Sequence, residues 1–544
     1  MAAGDATQIT ADTGGRIGGP GSHVPRPRLR GLECFLVLLL CLAVLEVHDV
    51  GYLLSQPYWN DEAWVAVTAR FPLSQLPALT STTPIGWSFL LRLVTVGHSQ
   101  SGRLLPLAFA AAAVAPAYWL ARRLAWKRAT SSVLAGLLAA ASVLLVPAML
   151  VRDDLKQYTA DAFIGLLVLA TASRLERQWS RRGLLLLSTA VWAGMLVSDA
   201  AAFVGAAALA AICLTQLASR AWRRLAEAVV VTAGTGVLSL GVYEVFYARA
   251  VVPGLVAYWQ AVGSYPPRHG GLRTAYAFVI RRFDDYHSYF GLGPAWLAIP
   301  LVLAGLLTVG RLGRPATAVA IAVLWPEMLA LSALRKYPFL DLRTSTFLFA
   351  ITAVTAAIGV AGICGALASW LRRAAIATTV TAVLAGVALA LFGVAVAPYV
   401  RSHQIPLEDI RQQTAYVAAH AAPGDPIVVS SNSNWGFAYY WPRGQPAHRP
   451  DTANLQGYEA YFPGQPRIIV ATNRDAAAIG TAMRQALAEV TPGTCARVWL
   501  VRTHVSTGER AAWIAVLGAL RLTAKVLPDG VAYIERGPPP CRGA

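Results

Sequence analysis

Lysine is almost missing from this chain: Lys127, Lys156, Lys336 and Lys525 stand among 46 basic residues. Charge of any kind is scarce, at 14% of residues. The histidines show no metal-ligand spacing, and no glycine-rich phosphate loop is present. The sequence therefore offers no metal-ligand cluster and no nucleotide-cradling loop, and it does not fix whether a divalent metal is required. The first apolar run is followed by Glu46, His48 and Asp49 rather than by a small-residue cleavage pattern, so it reads as an uncleaved anchor.

What the chain has in excess is apolar surface: 56% of its 544 residues are hydrophobic and the mean hydropathy is +0.50. A soluble protein of this size could not keep so much of it dry. The formal charge of +18 would suggest nucleic acid in a soluble protein. Here it reads as positive-inside loops plus a functional basic face, with no nucleic-acid partner. The excess of Ala and Arg over Lys suggests a GC-rich bacterial genome.

Apolar runs near spanning length predict a polytopic α-helical membrane protein of about eleven helices. The spans are expected near 32–53, 104–121, 130–150, 158–173, 183–198, 201–218, 226–248, 292–310, 316–334, 345–368 and 375–398. Residues 1–31, rich in Gly, Pro and Arg, read as a disordered cytoplasmic tail. With that tail inside, every short inner segment is basic, including Arg122/Arg123, Arg174/Arg177, Arg220/Arg223/Arg224 and Arg372/Arg373. Shifting the count by one span breaks this agreement. The membrane region thus covers 32–398, with long outer loops at 54–103 and 249–291, and the C-terminus lies outside. Within the first outer loop, Thr82–Val96 reads as a juxtamembrane helix.

From about 399 the composition changes. Short β-rich runs (Pro426–Ser430, Arg467–Ala471, Ala496–Arg502, Val531–Ile534) alternate with helical stretches (Leu407–His420, Arg474–Val490, Thr507–Leu520). This predicts a small extracytoplasmic α/β domain over 399–544. Cys34, Cys41, Cys213 and Cys364 lie in apolar segments, while Cys495 and Cys541 lie in this domain, either as a disulfide or as two free thiols.

Charged groups at a membrane edge cost free energy unless paired or used. Asp61-Glu62 follows the first span between Trp59 and Trp64. A carboxylate fixed there can take a proton from an acceptor hydroxyl. The competing reading is a solvated acidic pair with Asn60 or Asp61 as helix N-cap. Asp153-Asp154, between Arg152 and Lys156, can orient an acceptor or form a local ion-pair cluster. Arg103, Arg268, Arg281, Arg282, Arg335, Lys336 and Arg343 are basic on the outer side, against the positive-inside trend. Snorkelling explains one or two of them; an anionic lipid phosphate explains the set.

These motifs bring a family into view. Asn60-Asp61-Glu62-Ala63, Thr83-Pro84-Ile85-Gly86-Trp87 and Arg103-Leu104-Leu105-Pro106 occur in that order, followed by Asp154-Leu155-Lys156-Gln157-Tyr158 and Tyr337-Pro338-Phe339 with Arg343. In order, spacing and sidedness the chain resembles the GT-C superfamily of membrane glycosyltransferases, in the bacterial branch related to protein O-mannosyltransferases and lipid A aminoarabinose transferase. The resemblance implies a sugar donor on a polyprenyl phosphate and a hydroxyl acceptor on a glycan, lipid or protein. It implies inversion at the anomeric carbon at the outer face of a bacterial plasma membrane. Asp61 would be the general base and Glu62 its support. Lys156, Arg335, Lys336, Arg343 and Arg103 would hold the donor phosphate, and Tyr158 and Tyr337 would position the donor. The chain departs from the pattern twice: Thr82-Thr83, not a basic residue, precede Pro84, and Asp153-Asp154 stands where many relatives have a Glu. A secondary transporter and a non-catalytic envelope-assembly scaffold are the readings from other classes. A transporter predicts charges near mid-membrane, whereas here they gather in the outer loops.

Overall fold

The structure, a computed structural model, describes residues 27–79, 83–97, 99–124, 129–146, 155–248, 252–287, 295–370, 409–451, 456–491, 495–503, 505–527 and 530–536, with isolated positions between 379 and 394. Helix α1 (Pro27–Val47) is followed by the short α2 (Val50–Ser55). The first long loop folds as α3 (Asn60–Arg70), α4 (Leu76–Leu79) and α5 (Ile85–Val94). Then come α6 (Leu104–Leu124), α7 (Ala129–Leu144), α8 (Tyr158–Arg177), α9 (Arg181–Gly194), α10 (Ala200–Ala218) and α11 (Trp222–Phe246). The second long loop carries α12 (Pro253–Ala261) and α13 (Gly271–Asp285), and α14 (Ala295–Arg311), α15 (Pro315–Ala333) and α16 (Thr346–Trp370) follow.

Each of the first ten expected spans falls on one of these helices. Six stretches among the described residues are long and apolar enough to cross a membrane: Ser101–Leu124, Tyr158–Arg177, Ala200–Ala218, Trp222–Phe246, Pro315–Ala333 and Thr346–Leu367. The fifth expected span is shorter than its apolar run, because the chain leaves α9 at Gly194 and turns through Met195–Val197. The eleventh, 375–398, lies mostly outside the described residues.

Composition does not say which helix is central. Both α16 and α11 are long and apolar enough to cross a membrane, yet α16 is buried nearly throughout and packs on α6, α7, α8 and α14. In α11 the buried residues are Ala228 and Thr235, while Val229, Val230, Val237, Leu238 and Leu240 are exposed. Such an exposed apolar flank is stable against lipid and not against water. The chain is a multi-pass membrane protein. At the α14–α16 crossing, a Cβ on Gly359 would lie 1.9 Å from the Leu301 carbonyl oxygen, and one on Gly305 would lie 2.1 Å from that of Thr355. Two backbones meet there at a distance that needs glycine on both sides.

The C-terminal part forms α17 (Ile410–His420), β1 (Ile427–Val429), α18 (Asn434–Tyr440), the hairpin β2 (Ala447–Pro450)–β3 (Tyr458–Tyr461) and β4 (Ile468–Val470). It continues as α19 (Ala476–Ala488), β5 (Ala496–Val501), α20 (Thr507–Ala519), β6 (Lys525–Val526) and β7 (Ala532–Arg536). The five-stranded sheet runs β4-β1-β5-β7-β6, with β1 parallel to β4 and β5, and β7 antiparallel to β5 and β6. Ile427, Val429, Trp499 and Val501 face a core shared with α17, α18 and α3. Val428, Ile469, Val498 and Leu500 point the other way, into α19 and α20. Period-2 alternation thus makes a three-layer α/β/α unit whose inner layer merges with the first long loop. All four β-rich runs in the sequence are strands. Missed were α18, which lies in an aromatic run without clear period, and β2, β3 and β6, whose two to four residues are too short to show one. Cys495 is disulfide-bonded, and Cys541 lies outside the described residues.

Candidate active site

Asp61 owes its position to the first turn of α3. Trp59 is the N-cap residue, so Asn60 and Asp61 are the first two helical residues and neither is the cap. A carboxylate there sits in the favourable field of the helix N-terminus. Arg343 Nη1 stands 3.3 Å from Asp61 Oδ2, and Lys156 Nζ 3.8 Å from the same oxygen. Lys156 is almost fully buried and lies 5.0 Å from the Trp64 ring centre, one turn along α3 from Asp61. It is fixed from behind by Leu155, a wholly buried residue whose carbonyl accepts from Trp87 Nε1 at 2.6 Å. Arg343 is brought in by the turn after α15, where the Asp341 carboxylate accepts from the backbone N–H groups of Arg343 and Thr344.

These groups line one cavity of about 1630 Å³. Its walls include Asp61, Lys156, Tyr158, Arg335, Lys336, Tyr337 and Arg343, which the sequence singled out from three separate segments. Arg335 has its Nη2 tied to the Pro266 carbonyl at 2.6 Å and stacks on Tyr265. Its Nη1 is buried with no hydrogen-bond partner among the described residues. Burial and the neighbouring Arg268 pull this guanidinium below its ordinary pKa, the sign of a cation short of counter-charge. Tyr337 packs edge-on against Phe203 and donates to the Thr344 carbonyl at 3.0 Å.

Two expected site residues are elsewhere. Glu62 is wholly buried, does not line the cavity, and faces Arg103. Arg103 directs Nε to Glu62 Oε1 at 2.8 Å and Nη2 to Glu62 Oε2 and the Pro57 carbonyl. Its Nη1 donates to the carbonyls of Leu53 and Gln56. All five N–H donors are thereby used, so Arg103 has none for a phosphate. Glu62 also accepts from the Trp59 N–H at 3.3 Å, closing the first turn of α3. The pair sets the loop that carries Asp61; it does not touch the cavity. Likewise Arg282 is buried and donates to the Phe339 and Leu340 carbonyls, shaping the turn ahead of Arg343. Asp153 and Asp154 lie outside the described residues.

The cavity also holds groups that sequence reasoning left without a role. Asp199 lines it and accepts from Gln157 Nε2 at 2.6 Å. Burial pushes the Asp199 carboxyl up to about 7, and the Gln157 bond pulls the other way. Tyr258 on α12 lies against Arg343 and Asp61; burial raises its phenol and Arg343 opposes the rise. Its signal in the sequence was no more than membership of an aromatic loop. Among the described residues, no three His, Cys, Asp or Glu side chains gather as metal ligands.

The C-terminal unit closes the cavity from the far side. Trp64 Nε1 donates to the Tyr458 hydroxyl at 3.2 Å, and the Tyr440 hydroxyl accepts from the Tyr58 N–H at 2.7 Å and from Gln100 Nε2 at 2.9 Å. Ser431, Asn432, Asn434 and Trp435 after β1, and Thr472–Arg474 after β4, complete the lining.

No family model and no curated protein sequence matches the chain. Solved structures do. The oligosaccharyltransferase of Archaeoglobus fulgidus in the apo form aligns at 13% identity with a TM-score of 0.53, over 86% of this chain and 69% of that one. ArnT from Cupriavidus metallidurans in the apo state aligns at 13% identity and 0.51, over 93% and 98%. The same oligosaccharyltransferase in complex with Zn and sulfate aligns at 13% and 0.51, over 85% and 67%. At such identities the likeness speaks for the fold alone, which this chain shares with ArnT and with the archaeal oligosaccharyltransferase.

Proposed function

We propose that this GT-C-fold membrane protein is a lipid-linked sugar transferase. It moves a sugar from a polyprenyl-phosphate donor to a hydroxyl acceptor at the outer face of a bacterial plasma membrane, with inversion and with Asp61 as general base. The carrying observation is the Asp61 carboxylate in the cavity wall, flanked by Arg343 and Lys156, with Arg335 and Lys336 in the same wall.

The chemistry follows from that arrangement. The acceptor hydroxyl gives its proton to the Asp61 carboxylate as its oxygen attacks the anomeric carbon. The bond from that carbon to the phosphate oxygen breaks, and its electron pair leaves with the lipid phosphate. Charge therefore grows on the phosphate, where fixed cations stabilise the transition state more than the ground state. Arg335 has an unused buried donor for it, and Lys336 is an exposed point charge beside it. Lys156 and Arg343 bridge base and leaving group. Tyr158, Tyr337 and Tyr258 shape the donor pocket. Asp153 and Asp154, four to five residues before Tyr158, are proposed to orient the acceptor. Glu62 and Arg103 are positioning residues.

The test is transfer from a panel of radiolabelled polyprenyl-phosphate sugars by membranes holding wild type or Asp61→Asn. Transfer by wild type and its loss in the variant support the reading and name the donor. Absence of transfer from every donor by folded wild-type protein overturns it.

A further inference from the structure

The reading above leaves the acceptor unnamed, and the C-terminal unit bears on it. Strand β1 runs parallel to β4, and the segments that follow them leave on opposite faces of the sheet. α18, after β1, packs with Trp499 and Val501 toward α3, whereas α19, after β4, packs with Val428 and Ile469 on the other face. Where two neighbouring parallel strands send their chains to opposite faces, a crevice opens at their carboxyl ends. In open α/β sheets that crevice is the preferred ligand site. Here its lips are Ser431, Asn432 and Asn434 on one side and Thr472, Asn473 and Arg474 on the other, and all six line the cavity that holds Asp61.

The placement is not incidental to the membrane region. α18 follows the β1 lip directly and packs against α3, the helix whose first turn carries Asp61. Asn434, the first residue of α18, is 5% exposed, and its Oδ1 has no hydrogen-bond partner among the described residues. A buried amide oxygen left unpaired carries a desolvation cost that a ligand donor would relieve.

Charge divides the cavity. The membrane-side wall holds Lys156, Arg335, Lys336 and Arg343, while the crevice side sets amides and hydroxyls beside Trp435, Val470 and Ala471, with Arg474 as its cation, and Glu459, also in the lining, is paired with Arg449. An anionic group is drawn to the first wall. The second has Arg474 as its one cation among the described residues, so it holds no comparable cluster for an anionic acceptor. Side-chain amides each present donor and acceptor together, the complement of neighbouring sugar hydroxyls.

We infer that the crevice between the ends of β1 and β4 binds an uncharged glycan as the acceptor, with Asn434 and Asn473 bonding its hydroxyls and the reacting hydroxyl turned toward Asp61. This rests on the transferase reading for its meaning but not for its test.

The experiment is direct binding, without turnover, to the full chain in lipid nanodiscs. The probes are linear gluco-, manno-, galacto- and arabino-hexasaccharides, a Ser/Thr-rich peptide and a lysophospholipid, followed by saturation-transfer NMR and titration. The expected result is binding of at least one neutral hexasaccharide, with Kd raised about tenfold by Asn434→Ala and by Asn473→Ala. Asn473 is exposed, so its variant carries the test if Asn434→Ala fails to fold. Binding by no hexasaccharide, binding of the peptide or lipid alone, or hexasaccharide binding that ignores Asn473→Ala in folded protein overturns the inference. Glycan binding without any sugar transfer would instead sink the transferase reading and leave the crevice standing.

Discussion

Arg343 Nη1 lies 3.3 Å from Asp61 Oδ2, although 282 residues separate the two along the chain. One belongs to the first turn of α3, the other to the turn between α15 and α16. That contact joins the two halves of the membrane region at the cavity, and it places a carboxylate and a guanidinium where an acceptor hydroxyl and a lipid phosphate would meet.

Asp61→Asn keeps the shape of the side chain and removes its basicity. Loss of a general base is worth roughly 10²–10⁴-fold. We expect kcat to fall by that order while donor binding persists. Steady-state kinetics together with a donor-binding isotherm check this. A variant with wild-type kcat would exclude Asp61 as the base.

Arg335→Ala removes a cation whose Nη1 has no hydrogen-bond partner among the described residues. Donor KM is expected to rise roughly tenfold or more, the scale of one charge-assisted contact. Arg335→Lys is expected to recover part of the loss, since it restores the charge without the forked geometry. A donor KM unchanged in Arg335→Ala would remove this residue from the phosphate site.

Arg103→Ala should act on stability rather than on donor affinity. It strands Glu62, which is wholly buried, and frees the Leu53, Gln56 and Pro57 carbonyls. Breaking a buried pair from one side costs about 3–5 kcal/mol. Thermal unfolding of Arg103→Ala, Glu62→Gln and the double variant reads the coupling. Additive effects would mean that the two side chains do not act as a pair.

Asp199 makes a pH prediction. Its carboxyl lies above the ordinary 3.8, because burial favours the neutral form, and it titrates together with the buried Asp161 beside it. In the window above about pH 4 the folded protein therefore holds a proton that the unfolded chain has released. Its contribution to stability is greatest at the acid end and falls as pH rises through that window. The melting-temperature difference between wild type and Asp199→Asn should drift against wild type from pH 4.5 to pH 7.5. A difference that is flat, or that drifts toward wild type, would contradict the buried carboxyl.

Gly359→Ala tests the α14–α16 crossing. The new methyl would meet the Leu301 carbonyl oxygen at 1.9 Å, and backbone cannot step aside as a flexible side chain can. A loss of about 1–3 kcal/mol is expected, read as a lower unfolding midpoint. Gly234→Ala on α11, where a Cβ meets nothing within 4 Å, is the control and should be neutral or stabilising.

The sequence by itself determined the class of molecule, the approximate helix positions, the alternation that became β1, β4, β5 and β7, and the segments from which the site is drawn. Those properties are local: apolar run length, period-2 burial and the chemistry of each motif are all written within a few residues. The tertiary structure decided which motif residues reach the cavity. Glu62 neighbours Asp61 in the chain, yet one helical step of about 100° turns it into the core against Arg103. Arg103 and Arg335 are alike as residue types, yet one has all its donors used and the other has its Nη1 without a partner among the described residues. Asp199 and the crevice after β1 and β4 had no local signature at all. Each exists because distant segments pack together, and contact between distant segments is the property that a reading along the chain does not carry.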